Sequence, residues 1–123
     1  MAIWCKNLQE MKHFYDHFFD NKSNDIQINS MNGFRSYFLS LSNGPCIELM
    51  QMDSLLIAAV NIHPQFMFAH IEFSVGSQLK VNEMAVNLVA SGYEVQDGPR
   101  WTDDGNYELV VLDPEWNSVQ VSV

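Results

Sequence analysis

The chain has 123 residues, enough for a hydrophobic core, and its 47% hydrophobic and 17% charged content excludes a disordered polymer. A net charge of −9 argues against nucleic acid and anionic lipid as partners, because both call for a Lys/Arg surface. Cys5 and Cys46 have neither disulfide-framework nor metal spacing, no signal-peptide pattern opens the chain, and the longest apolar run, LLIAAV at 55–60, is too short for a bilayer; a cytoplasmic protein with free thiols is expected.

The first strand is AIWC, and a helix follows at once. Asn7 with Glu10 makes an N-x-x-E start signal, and Leu8, Met11, Tyr15, Phe18 and Phe19 follow at helical spacing as a core stripe. The run from Asp20 to Asn24 ends that helix. Three strand-like segments follow, at 26–30, RSYFLSL and CIELMQM, with the turn sequence SNGP at 42–45 between the last two. The next segment, from 53, is unusually apolar for a loop. HIEFSV then reads as a strand. Ser77 is placed to cap a second helix with the stripe Val81, Met84, Ala85 and Leu88, and Gly92 suits its left-handed exit. YEVQ, YELVVL and SVQVSV close the chain as strands, with the turn sequence DPEWN at 113–117. The order is βαβββ, twice. One domain is expected over 1–123, with module one at 1–52, a connector at 53–67 and module two at 68–123.

The strands alternate, so each sheet has an apolar and a polar face. Ile71, Phe73 and Val75 oppose His70, Glu72 and Ser74. Val119, Val121 and Val123 oppose Ser118, Gln120 and Ser122. Ile47 and Leu49 oppose Cys46, Glu48 and Met50, while Tyr37, Leu39 and Leu41 oppose Ser36, Phe38 and Ser40. The apolar faces should meet the helices. The other faces carry Glu, His and Gln beside large residues (Trp4, Phe38 and Met50), with no Lys on those strands.

This pattern resembles the vicinal oxygen chelate superfamily, which includes glyoxalase I, the bleomycin and fosfomycin resistance proteins and the extradiol dioxygenases. AIWCKNLQEMKHFYDHFF, GFRSYFLSLSNGPCIELM, AHIEFSVGS and GYEVQDGPRWTDDGNYELVVLDPEWNSVQVSV carry the resemblance, which is closest to small bacterial glyoxalase-like proteins. It implies an α+β fold of two βαβββ modules with curled mixed sheets. It also implies a small-molecule cavity with one divalent ion (Ni, Zn, Mn or Co), held by the first and last strands of each module. Proteins of this size in the family pair as homodimers, with ligands contributed by two protomers.

Carried over residue by residue, the resemblance makes Glu48, His70 and Gln120 the metal ligands. Gln120 stands where the family has Glu; it keeps a carbonyl ligand but has no charge and cannot act as a base. Aligning AHIEFSV on the start of the chain sets Ile71 with Met1, so His70 falls on the position before Met1, and the fourth ligand is expected to be missing unless residues upstream that end in His precede this start. A weak or absent metal site is therefore expected. His63 joins the set only if the connector folds inward.

Other residues can carry chemistry. Glu48 and Glu108 are the candidate catalytic carboxylates; Glu108 is level with Ser36 by the repeat. Trp4, Phe38, Glu72 and Arg100 are candidate substrate contacts, and Trp101 is a further candidate wall. Arg100 is placed either to fork a carboxylate or phosphonate or to form a surface ion pair. Crowding of Glu48, Glu72 and Glu108 would raise the pKa of one of them. Cys46 shares the polar parity, as a nucleophile or as an inert buried thiol. No nucleophile elbow, dinucleotide fingerprint or P-loop is present. Two readings stay open: a metal-dependent lyase of glyoxalase I type, and a metal-free binding protein of bleomycin-resistance type.

Overall fold

Short strands with period-two alternation cannot bury an apolar face alone, and each set of them here acquires a helix to cover it. The computed structural model describes residues 1–19, 22–23, 27–29, 33–40, 46–51 and 70–123. The turn at 42–45 and the connector with His63 lie outside the described residues. The chain divides into two compact units, Met1–Ile62 and His63–Val123. Among the described residues the architecture is α+β, with two mixed sheets and two helices.

The first unit runs β1 (Ala2–Trp4), α1 (Leu8–Phe18), β2 (Lys22–Ser23), β3 (Gln27–Asn29), β4 (Phe34–Ser40) and β5 (Cys46–Gln51). Its sheet order is β1-β5-β4-β2, with β3 also on β4. The first strand lies parallel to β5, whereas β4 runs antiparallel to it. The Asn7 side chain accepts from the Glu10 N–H at 3.1 Å, which fixes the start of α1. Leu8, Met11, Phe14 and Tyr15 are its buried residues. Here the expected stripe shifts: Phe14 is fully buried, while Phe18 and Phe19 are only half-buried in the last turn. Phe14 instead meets Phe18 and Phe19 through tilted ring contacts.

The second unit runs β6 (Ile71–Ser74), α2 (Gln78–Ala90), β7 (Val95–Trp101), β8 (Tyr107–Leu112) and β9 (Ser118–Ser122). Its sheet order is β6-β9-β8-β7, again with first and last strands parallel. The Ser77 hydroxyl accepts from the Lys80 N–H at 3.1 Å and caps α2. Beyond the helix, Gly92 sits at φ 88°, the Gly92 N–H donates to the Val89 carbonyl and the Tyr93 N–H to the Leu88 carbonyl. This is a Schellman closure, and the left-handed residue in it favours glycine. The buried side of α2, Val81, Met84, Ala85 and Leu88, is the one the spacing predicts.

The β8–β9 connection is built on Asp113. Its buried carboxylate accepts from the N–H groups of Glu115 and Asn117 and from the Asn117 side chain, at 2.9, 3.0 and 2.8 Å. The turn forces Trp116 to φ 71°.

Candidate functional site

In the second unit, strand register decides which side chains share the polar face. Glu72 lies beside Gln120, and Ser74 beside Ser122, across β6 and β9. Across β8 and β9, Val110 lies beside Gln120 and Glu108 beside Ser122. Four polar side chains thus occupy neighbouring places: Glu72, Gln120, Ser122 and Glu108. Diagonal neighbours on a sheet are within reach of long side chains, and the hydrogen bonds run along those diagonals. The Gln120 amide donates to Glu108, and the Ser122 hydroxyl donates to Glu72 at 2.9 Å. Each carboxylate therefore has its own donor, rather than facing the other across the sheet as the expected crowding required. Ser122 is a site residue the sequence reading passed over; its parity with Gln120 in SVQVSV was the available signal.

His70 lies one residue before β6 on the same parity as Glu72 and is exposed. Its imidazole has no hydrogen-bond partner among the described residues.

Arg100 pairs with Glu108 across β7 and β8, so the two share this face. Its guanidinium is already engaged: Nε donates to the two Asp97 carboxylate oxygens at 2.9 and 3.0 Å, and Nη2 donates to Oδ2 at 2.7 Å. The hydrogen bonds from Arg100 hold the Asp97 carboxyl below its usual range, and the hydrogen bond and charge of Asp97 raise the Arg100 pKa, with smaller pulls from Glu108 and Asp103. An internal carboxylate thus fills the fork that a ligand carboxylate would use. The sequence did not reveal Asp97 because β7 is irregular, with register shifts on both sides of it. Those shifts also extend β7 through Trp101, where a loop was expected. Trp101 pairs with Tyr107, and their rings meet edge-on at 5.2 Å. Tyr107 is buried and its hydroxyl donates to Asn82 on α2 at 2.7 Å. Trp101 therefore has the parity of the helix-covered face and does not wall the Glu108 face.

Gly98 keeps β7 close to β8. At φ 81°, a Cβ placed on it would meet the Glu108 carbonyl oxygen at 2.4 Å. Only a glycine permits this approach.

In the first unit, Glu48 lies between Ala2 on β1 and Phe38 on β4. Trp4 and Ser36 flank Met50 one step along the same face. Trp4 (41% exposed) and Phe38 (37% exposed) are not core, and Trp4 meets Phe34 edge-on at 6.2 Å. The half-buried Glu48 carboxylate has no hydrogen-bond partner among the described residues. Cys46 is exposed, which corrects the buried reading, and Cys5 is buried; both are free thiols. Gln120 takes in β9 the place that Glu48 takes in β5, since each lies between a first strand and an antiparallel neighbour.

The metal implied by the resemblance can be tested on donor chemistry. Within the second unit the carried-over ligands are one imidazole and one neutral amide, whose nitrogen donates to Glu108 and whose oxygen alone is left to ligate. The first unit holds one carried-over carboxylate, so neither unit by itself supplies from this set the three or four strong ligands that a tight Zn²⁺ or Ni²⁺ site takes. Among the described residues no three His, Cys, Asp or Glu side chains gather as a metal site. No helix among them is long and apolar enough to cross a membrane.

Searches against family models and curated proteins find no match. Solved structures do match in fold. A glyoxylase/bleomycin resistance protein/dioxygenase domain from Frankia sp. EAN1pec superposes with a TM-score of 0.80 at 14% identity, covering 100% of this chain and 93% of that one. A genomically encoded fosfomycin resistance protein from Listeria monocytogenes gives 0.76 at 16% identity, covering 98% and 88%. A glyoxalase I mutant from Zea mays gives 0.76 at 15% identity, covering 98% of this chain and 42% of that one. The chain has the fold of the vicinal oxygen chelate superfamily.

Proposed function

We propose that this chain is a small-molecule-binding protein of bleomycin-resistance type whose ligand rests on the polar sheet face of the second unit without a resident metal ion. The observation that supports it most is the setting of Gln120. This residue stands beside Glu72 and donates to Glu108. A carboxylate there would be a third negative charge in contact with two others, and would need a cation to be stable. The neutral amide makes the face self-sufficient. Glu72, Glu108 and Gln120 then offer acceptors to a ligand. Homodimer assembly is part of the proposal.

The test is thermal unfolding against a panel of small organic molecules, each with and without EDTA. The proposal expects at least one compound to raise the transition equally in both conditions. Stabilisation that vanishes with EDTA would overturn it.

A second reading is a metal-dependent lyase of glyoxalase I type, with Glu48, His70 and Gln120 as ligands and Glu48 or Glu108 as base. The unpartnered state of His70 and Glu48 among the described residues favours it, because open donors are available to an ion. Metal-dependent turnover of the methylglyoxal–glutathione adduct would select this reading over the first.

A further inference from the structure

Away from the polar sheet faces, two metal-ligating side chains meet on a helix. Helix α1 carries His13 and His17, one turn apart and both exposed. Their rings stack, with centroids 5.7 Å apart and planes 15° from parallel. Residues four apart share one helix face, and two imidazoles at this spacing can bind one zinc ion. The His17 ring is further seated by an edge-on contact with Phe18 at 4.7 Å. Lys12 takes Asp16 Oδ2 at 2.5 Å on the adjoining face, so that carboxylate oxygen is committed elsewhere.

We infer that His13 and His17 form a two-ligand surface site for a divalent cation of the imidazole-binding class, Zn²⁺, Ni²⁺ or Cu²⁺. Two nitrogens suit these ions, whereas Ca²⁺ and Mg²⁺ take oxygen. Among the described residues no third His, Cys, Asp or Glu completes a cluster. Water or a donor from another molecule fills the remaining positions, so the site exchanges readily. The net charge of −9 raises the local concentration of any divalent cation. Because the spacing exists only in the formed helix, an ion bound there favours the folded chain. The inference is independent of the reading of the sheet faces. It also means that metal taken up by this protein need not be at Glu48, His70 or Gln120.

The test is calorimetric titration with Zn²⁺ of the wild-type chain and of His13→Gln, His17→Gln and His70→Gln, with thermal unfolding beside it. One ion per chain is expected. Losing either α1 imidazole turns a chelate into a single ligand and should weaken binding about a hundredfold, abolishing the rise in unfolding temperature. Equal binding by all α1 variants, or loss only in His70→Gln, overturns the inference. A readout on the wild-type chain avoids dependence on variant folding: substoichiometric Cu²⁺ should broaden the ring resonances of His13 and His17 before those of His70. The reverse order overturns it.

Discussion

Replacing Gly98 with alanine should loosen the strand pair that holds Arg100 opposite Glu108. The new Cβ would lie 2.4 Å from the Glu108 carbonyl oxygen, 3.0 Å from Leu109 Cα and 3.2 Å from the Arg100 nitrogen. All three are backbone atoms, so no side chain can swing aside, and β7 must separate from β8. Two costs combine. The left-handed φ of 81° costs a Cβ-bearing residue about 1–2 kcal/mol. Overpacking against rigid neighbours adds about 1–3 kcal/mol. A total loss near 3 kcal/mol follows, a large part of the stability of a small domain. Gly92→Ala is the control, because Gly92 has a similar φ of 88° and nothing within 4 Å of the added Cβ. It bears only the conformational cost. Urea unfolding of both variants, followed by circular dichroism and tryptophan fluorescence, separates the steric part by difference. If Gly98→Ala is no less stable than Gly92→Ala, the close approach of β7 to β8 is wrong.

Three further perturbations test other contacts. Trp116→Gly should raise stability by about 0.5–1 kcal/mol, as relief of left-handed strain exceeds the extra freedom of glycine in the unfolded chain; an unchanged or lower urea midpoint would refute the strain at φ 71°. Gln120→Glu should destabilise at neutral pH by about 1–2 kcal/mol, because the donor to Glu108 is replaced by a like charge. The carboxyl pair then binds a proton more tightly in the folded state, so the loss appears as pH rises and fades in acid; adding Glu108→Gln should restore stability, and failure of that swap would refute the pairing. Asp97→Asn should flatten the acid end of the stability profile. The folded Asp97 pKa is depressed by the Arg100 hydrogen bonds, so its contribution is present above the unfolded value and is lost as pH falls through the folded one. An acid limb identical to wild type would count against the Asp97–Arg100 clasp.

The parts of this molecule that sequence made legible are those governed by a simple period. Ile71, Phe73, Val119 and Val121 alternate with polar residues and are buried, because a two-sided sheet must sort its side chains by parity. The same parity placed Glu72, Glu108 and Gln120 on one face. Caps were legible too, since Asn7 and Ser77 each precede a helical stripe and bond the N–H three residues on. Sequence failed where a period breaks. The shifts in β7 carry Trp101 to the helix-covered parity and bring Asp97 onto Arg100, and neither outcome is encoded in spacing alone. Near the end of α1, Phe14 took the burial expected of Phe18 and Phe19, because a stripe read by spacing does not say how far along the helix the sheet reaches. Gln120 was identified as a neutral substitute, but its role as donor to Glu108 required the diagonal geometry of β8 and β9.

The central claim is that the polar face of the second unit needs no resident ion, and metal stoichiometry tests it most directly. Untagged protein carrying His13→Gln and His17→Gln, which removes the α1 pair, would be offered Ni²⁺, Zn²⁺, Mn²⁺ and Co²⁺ in turn and then dialysed. The account predicts far less than one retained ion per chain for each metal, with the fold intact by circular dichroism. One tightly held ion per chain, lost when His70→Ala is added, would contradict it and make Glu48, His70 and Gln120 a working metal centre.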